Sequence, residues 1–332
     1  YAPANDHNAN IATDYKYSDY AYTDKSFNDS LDLKYSNKED ADSGRFFSAD
    51  IRLLGGYRKD DFDWNIANDI TGVSTPNILS ELTWSDLKMT QIKAEGDMIW
   101  WDRFVIDGMI SSADIYEGDN QDSDYNGDDR TLEWSRSNNK SRDGQAFDWS
   151  SALGYRVPVG PDNDFLAAED VILTALAGYS RHELDLIITD GFQSIPATGP
   201  FSSLHSSYWA EWDGPWAGFK LEGKKNRIFG AFRFEYHWAD YYGSANWNLR
   251  SDFQHPKSFE HTADGYGLVF RLAAGYHVTD RWTLDFCSDI QDWETNAGID
   301  RTFFSNGLTM ETRLNEVNWQ SKAFMFGSTY KF

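Results

Sequence analysis

The chain ends in AFMFGSTYKF (323–332), and this stretch decides the fold. Side chains of a β-strand point alternately to its two faces, so Phe324, Phe326 and Tyr330 share one face with the final residue, Phe332. Small or polar residues occupy the other face. In water, such an aromatic face at an unprotected chain end favours aggregation, whereas in a bacterial outer-membrane barrel it faces lipid. The stretch therefore predicts the closing strand of a transmembrane β-barrel, with the edge of a soluble β-sandwich as the alternative.

The same alternation of apolar and polar residues recurs along the chain from Phe46 onward. Charges of both signs recur on the polar face, which suits a narrow lumen cross-linked by ion pairs. The alternating runs are 47–58, 92–100, 104–110, 147–157, 228–238, 270–278 and 282–291.

Composition agrees with a barrel and narrows the classes of function. The mean hydropathy is -0.63, and no run approaches the roughly 18 apolar residues of a membrane helix, which argues against a helical membrane protein. Aromatic residues make up 16% of the chain, which suits two interfacial girdles. The net charge of -23 disfavours nucleic acid and favours divalent cations or basic partners. The single Cys287 excludes an internal disulfide.

Short and long connections alternate, as outer-membrane barrels require. The short ones, predicted to be periplasmic turns, are 100–103, 157–164, 223–227 and 278–281. The long ones, predicted to be extracellular loops, are 60–77, 118–144, 194–203, 249–262 and 300–312. We therefore expect an all-β fold, a transmembrane antiparallel up-and-down barrel of about ten strands with long extracellular loops. Such a lumen is only slightly wider than that of an eight-stranded barrel, which side chains fill, so free diffusion of solutes is not expected.

Two regions follow from this reading. Residues 46–332 are the predicted outer-membrane barrel. Residues 1–45 are an acidic, Tyr-rich N-terminal segment predicted to be periplasmic, which either binds a protein partner or the barrel, or is a solvated linker. The chain begins at Tyr1 without a charged and apolar leader, so we expect an integral protein of the bacterial outer membrane after signal-peptide removal.

Several stretches resemble the omptin family, the ten-stranded outer-membrane aspartate and histidine proteases. LSELTWSDLKMTQIKAEGDMIW (79–100) resembles the second strand of omptins, AGY (177–179) the fifth, AAGYHVT (273–279) the eighth, and GSTYKF (327–332) the last. The resemblance implies the fold. It also implies an extracellular cleft in which an Asp pair faces an Asp-x-His couple, the four together activating a water.

The residues match only half of that cleft. Asp122 and Asp124 in QDSDY correspond to the Asp pair, but the Asp-x-His position falls near 243–248 (GSANWN), which holds neither residue. Asp252 and His255 follow with one residue too many between them. Without an imidazole there, water activation lacks its general base. We therefore expect a surface binding or structural protein; the alternatives are an endopeptidase using Asp122 and Asp124 with a displaced Asp252 and His255, and a narrow channel.

A lipid contact is also implied by the resemblance. Where omptins have Tyr-x-Glu-x-Arg after AG, this chain has Tyr179, Arg181 and Glu183, with the two charges exchanged. The three side chains project to one side of the strand, so Arg181 is a candidate for contacting a phosphate of lipopolysaccharide. An ordinary exposed ion pair is the alternative. Outer-membrane lipid and lipopolysaccharide are the expected partners.

The segment 122–133 (DSDYNGDDRTLE) also matches the template of a calcium-binding loop, D-x-[DN]-x-[DN]-G-x5-E, which indicates a second kind of site. Alternate side chains would turn onto the ion, Gly127 permits the sharp turn, and a final Glu closes the shell. A solvated acidic loop is the alternative, since the chain is rich in Asp. Calcium is thus an optional ligand and no cofactor is required. The candidate calcium ligands are Asp122, Asp124, Asn126, Asp128 and Glu133.

Overall fold

The computed structural model describes residues 46–159 and 170–332. It contains thirteen strands: β1 (Phe47–Ile66), β2 (Ser80–Trp100), β3 (Phe104–Tyr125), β4 (Glu133–Lys140), β5 (Gly144–Val159), β6 (Asp170–Ile195), β7 (Gly199–Pro200), β8 (Ser206–Lys225), β9 (Ile228–Asn246), β10 (Phe259–His277), β11 (Trp282–Thr295), β12 (Gly298–Phe303) and β13 (Thr309–Lys331). The predicted N-terminal segment 1–45 and most of the predicted turn 157–164 lie outside the described residues.

The strands close into one antiparallel ring with ten positions, which confirms the predicted barrel. β4 and β5 lie end to end and together fill one position of the ring, between β3 and β6. β11 and β12 likewise share the position between β10 and β13. The short β7 pairs with β6 outside the ring. Pairing of β13 with β1 closes the sheet, so the ring has no free edge along those two strands.

The final strand has the predicted two faces. Phe324 and Phe326 are 50% and 69% exposed, whereas Met325 between them is fully buried. Tyr330 pairs with Ile51 of β1 on one side and Trp282 of β11 on the other. The terminal Phe332 follows the end of β13, and its backbone N–H donates to Ala49 O at 3.0 Å.

Outward-facing aromatic residues form two girdles. The lower girdle, next to the short turns, comprises Phe47, Trp100, Phe104, Tyr155, Tyr276, Trp282 and Tyr330. The upper girdle comprises Tyr57, Trp149, Tyr179, Trp238 and Tyr266. Exposed aliphatic side chains such as Ile92 and Leu153 lie between them, as an apolar band facing lipid requires.

Above the upper girdle the polarity of the two faces inverts. In β1 the outward residues are apolar up to Tyr57, and then become Lys59, Asp61 and Asp63. The inward residues change from charged to aromatic, so Phe62 and Trp64 are buried in a cluster with other lumen-facing apolar side chains. The strands thus continue into water as a wall with an apolar interior.

This extension corrects the predicted loop bounds. β1 reaches Ile66 inside the predicted loop 60–77, and β3, β4 and β5 occupy most of the predicted loop 118–144. Asp122 and Asp124 therefore lie in a strand. The physical reason is that the inverted wall still alternates, so the backbone keeps its sheet hydrogen bonds beyond the membrane. Within the described residues, no helix has the length and apolar character needed to cross a membrane.

Candidate functional site at the extracellular mouth

The predicted Asp pair lies on the inner face of β3, above the upper girdle. Asp122 is directly opposite Leu82 of β2 and Ser137 of β4. Asp124 is opposite Ser80 and Ser135. Because Leu82 belongs to the buried lumen cluster and paired residues share a face, both carboxyl groups point toward the barrel mouth.

The two carboxyl groups perturb each other. Burial, together with the charge of Asp124, raises the pKa of Asp122 to about 7. Burial also raises the pKa of Asp124, against hydrogen bonds from the hydroxyls of Ser80 and Ser135. The pair therefore holds a proton at neutral pH more readily than two separate surface carboxylates do.

An indole and a guanidinium from the β9–β10 loop face this pair. The side chain of Trp247 hydrogen-bonds Asp122, and the charge of Arg250 acts on both carboxyl groups and lowers their pKa values. The same guanidinium lies over the ring of Phe253, 4.0 Å from its centroid. Trp247 belongs to the segment 243–248, where the resemblance to omptins places the Asp-x-His couple.

The displaced candidates are engaged elsewhere. Asp252 accepts hydrogen bonds from Arg250 at 2.8 and 3.0 Å, and both side chains are exposed. His255 Nδ1 lies 2.8 Å from Asn246 Oδ1. Among residues 46–159 and 170–332, no hydrogen bond or ion pair joins His255 to Asp122, Asp124 or Asp252.

A buried Asp, His and Tyr group lies in the same half of the barrel and was not predicted. Tyr208 Oη is 2.8 Å from His261 Nδ1 and 2.6 Å from Tyr241 Oη. His261 Nε2 is 3.2 Å from Asp300 Oδ1. Burial raises the pKa of Tyr208 well above its ordinary value. His261 is fully buried against Trp64, so this group stabilises the lumen and presents no open face to a substrate.

The sequence carries little signal for this group, because its members come from β8, β9, β10 and β12. The available signal is the inward position of His261 in the alternation of β10, beside the buried Phe259. That position predicts a buried imidazole, and a buried imidazole needs polar partners. The partners themselves depend on the strand register, which the sequence alone does not supply.

The predicted calcium ligands have separate partners. Asp128 accepts hydrogen bonds from Thr75 Oγ1 at 3.0 Å and from the backbone N–H of Asn77 at 2.9 Å. Glu133 binds Arg136, with Nε to Oε1 at 2.7 Å. In the described part of the chain, no group of three or more His, Cys, Asp or Glu side chains is arranged to hold a metal. Calcium binding by Asp122, Asp124, Asn126, Asp128 and Glu133 stays a prediction.

The predicted lipid-binding residues lie on the outer face of β6, at and above the upper girdle. Arg181 Nη1 is 3.2 Å from Glu211 Oε2 and 3.8 Å from Glu183 Oε1. The hydroxyl of Tyr179 donates to the carboxylate of Asp213. Arg181 therefore sits among several carboxylates, and contact with a lipid phosphate stays a prediction for this surface.

Ion pairs fill the lumen at the level of the membrane. Lys93 binds Asp289 at 2.6 Å, and Arg271 binds Asp289 at 2.8 Å and Glu95 at 2.7 Å. Further pairs join Arg233 to Asp107, Arg58 to Asp148, and Lys220 to Asp97. The side chains of Lys93, Asp289 and Arg58 are almost fully buried. The polar face of the alternation is therefore an internal network, as its mixed charges predict.

A closed ring of ten positions, two aromatic girdles and a charged lumen define an outer-membrane β-barrel protein. The chain belongs to the Pom family, Protochlamydia outer membrane protein, whose model matches residues 52–332. No curated protein sequence matches the chain.

Among solved structures that are similar to the chain, an outer-membrane protease supports the fold. Outer membrane protease OmpT from Escherichia coli is similar with a TM-score of 0.69 at 13% identity, over 87% of this chain and 98% of that one. The translocator domain of the autotransporter NalP from Neisseria meningitidis gives a TM-score of 0.36 at 11% identity, over 92% of this chain and 96% of that one. OprG from Pseudomonas aeruginosa gives 0.29 at 11% identity, over 86% and 96%. The likeness to omptins therefore holds at the level of the fold.

Proposed function

We propose that this barrel is a surface binding or structural protein that does not cleave peptides. The observation that supports this proposal is the pair Trp247 and Arg250 opposite Asp122 and Asp124. An indole N–H donates only and a guanidinium stays charged, so neither accepts a proton from water. Among the residues that the structure describes, the cleft therefore has no imidazole base, and the charge of Arg250 opposes the rise in the pKa values of the two carboxyl groups.

A second candidate, an endopeptidase, is favoured by one observation. Two neighbouring carboxyl groups that share a proton can activate water by themselves, as in aspartic proteases. The raised pKa values of Asp122 and Asp124 are of that kind. In this version Asp252 and His255 would have to leave their present partners to join the pair.

A peptide-cleavage assay separates the two candidates. The protein is reconstituted with lipopolysaccharide and incubated with fluorogenic peptides that contain paired basic residues, between pH 5 and 8. We expect no cleavage above that of empty micelles. Cleavage that Asp122→Asn removes and Asp119→Asn retains would establish the endopeptidase, because Asp119 lies on the same strand but pairs with Lys140 on its outer face.

We propose two ligands for this binding protein, lipopolysaccharide and calcium. Lipopolysaccharide is proposed to contact Arg181, and the exposure of that side chain at the upper girdle supports the contact. Calcium is proposed to bind at the turn between β3 and β4, and the spacing of the acidic residues supports it. The narrow-channel alternative has no support in the lumen, where Lys93, Arg271 and Arg233 are ion-paired and buried.

A further inference from the structure

The outer wall carries a groove above the upper girdle, on the side away from the lumen cluster. Its volume is about 560 Å³, which falls in the range of ligand pockets. It crosses four adjacent strands, β2, β3, β4 and β6. Its lining includes Thr83, Gln121, Asn138 and Phe192.

The strand register places these four side chains in one row. Thr83 pairs with Gln121, Gln121 with Asn138, and Asn138 with Phe192. Directly paired residues have their side chains on the same face, about 5 Å apart. The row therefore presents a hydroxyl, two amides and an aromatic ring in sequence across the wall.

The two amides are held in place but keep unused hydrogen-bonding groups. Gln121 Nε2 donates to Ser123 Oγ at 3.1 Å, and Asn138 Nδ2 donates to Ser194 Oγ at 2.9 Å. An amide has two N–H donors and a carbonyl oxygen, so each retains a donor and an acceptor. In the described ranges, no protein group donates to either amide oxygen. A sugar hydroxyl, which both donates and accepts, matches such a group.

Hydrogen bonds cross-link the side chains beneath the groove. Asn139 Nδ2 donates to Asn120 Oδ1 at 2.9 Å and to Ser137 Oγ at 3.0 Å, and Asn120 Nδ2 donates to Thr83 O at 3.1 Å. Asn120 and Asn139 are almost fully buried. Side chains that are cross-linked by hydrogen bonds hold the shape of a binding surface without a ligand, which lowers the entropic cost of binding.

Charge at the groove is balanced, which decides the class of ligand. Lys140 pairs with Asp119, and Arg142 Nη1 lies 3.7 Å from Asp190 Oδ2. No charge in the groove is left over for an ionic ligand. Phe192 is 48% exposed and offers a flat apolar face, onto which the C–H face of a sugar ring can pack.

We infer that this groove binds a neutral oligosaccharide through Gln121, Asn138 and Phe192. The inference deepens the proposed surface-binding role, which the peptide-cleavage assay tests independently. The oligosaccharide comes either from the sugar headgroups of the surrounding outer leaflet or from another surface, and both present the same hydroxyl chemistry.

The test uses the full chain in detergent, with an array of neutral and acidic oligosaccharides and, separately, the neutral hexose part of the core oligosaccharide of lipopolysaccharide, freed of acidic sugars and phosphates. We expect binding to neutral sugars that Phe192→Ala and Gln121→Ala each weaken about tenfold, which corresponds to about 1.4 kcal/mol. Trp134→Ala is the matched control, because Trp134 is 52% exposed on β4 but does not line the groove.

Each outcome decides the inference. Binding of the neutral hexose part of the core alone assigns the source to the outer leaflet, and binding of array sugars assigns an external source. A retained gel shift between boiled and unboiled samples shows that each variant is folded. Absence of binding in both arms, binding of acidic sugars only, or equal effects of Phe192→Ala and Trp134→Ala would overturn the inference.

Discussion

Asp122 lies within reach of a second carboxyl group, an indole and a guanidinium, and its ionisation depends on all of them. Burial is the largest contribution, and it favours the neutral carboxyl. The folded pKa of about 7 lies above that of Asp in an unfolded chain, which is near 3.8. The folded state therefore holds this proton more tightly. The resulting stabilisation is present at low pH and is lost as the pH rises from about 4 to 7.

Asp122→Asn should remove this pH dependence. We expect the variant to be more resistant to unfolding than the wild type at pH 8 by about 1 kcal/mol, after allowance for partial exposure, and to differ little at pH 4. Urea unfolding in detergent at the two pH values measures the effect. An identical difference between variant and wild type at both pH values would contradict a raised pKa for Asp122.

Individual residues were predictable from sequence where spacing alone defines them. Asp122 and Asp124 were identified as a pair by their Asp-x-Asp spacing, although they were predicted to lie in a loop and in fact share one face of β3. Trp247 and Arg250 were not predictable as their partners, because the contact crosses the barrel and depends on the conformation of a loop. The same holds for His261 and Asp300, which meet only because β12 pairs with β10.

At the scale of elements, β1 is a single strand whose outer face contacts lipid along one part and water along the other. Its outward face carries Leu53 and Tyr57 toward lipid, and then Lys59, Asp61 and Asp63 toward water. The segment after Tyr57 still alternates, with Phe62 and Trp64 inward. The sequence therefore contained the signal for a longer strand. The exchange of polarity between the faces made that segment resemble a polar loop.

Leu53→Arg should impair folding into a bilayer much more than Asp61→Arg. A cation at the lipid-facing midplane costs about 2 to 4 kcal/mol, and the cost falls to about 0 to 1 kcal/mol near the interface. The two substitutions introduce the same side chain on the same face of the same strand. The fraction of protein that runs as folded on unboiled gels, measured across a urea series in vesicles, gives the comparison. Equal losses would contradict the position of the upper girdle.

The turn between β3 and β4 makes the calcium prediction testable. Glu133 binds Arg136 and would have to release it in order to ligate an ion. Arg136→Ala should therefore strengthen calcium binding, and Glu133→Gln should abolish it. Titration calorimetry of the three proteins with calcium up to about 1 mM, the affinity range of extracellular sites, measures both effects. No calcium heat in either the wild type or Arg136→Ala would leave this segment an acidic turn without an ion.

The architecture of the whole molecule was predicted from the sequence more completely than the surroundings of any single site. Ten ring positions, short connections at one end and long ones at the other were predicted from repeated alternation and its interruptions. The prediction of the architecture succeeds because every strand that crosses lipid must pair its backbone groups within a closed sheet. A site, in contrast, depends on a few side chains that are distant in sequence. The Asp pair was predicted and its surroundings were not. The groove containing Gln121 and Phe192 was missed because its row exists only across four paired strands.

A closed barrel that acts at its surface should not conduct ions. The lumen at membrane level is crossed by buried pairs such as Lys93 with Asp289 and Arg233 with Asp107, and Trp64, Trp84 and Trp212 are buried above them. Planar bilayer recording of the full chain at 1 M KCl is the direct measurement. We expect no discrete conductance steps after insertion is verified by gel shift. Reproducible steps that are altered by Lys93→Ala would contradict a closed lumen and establish a channel.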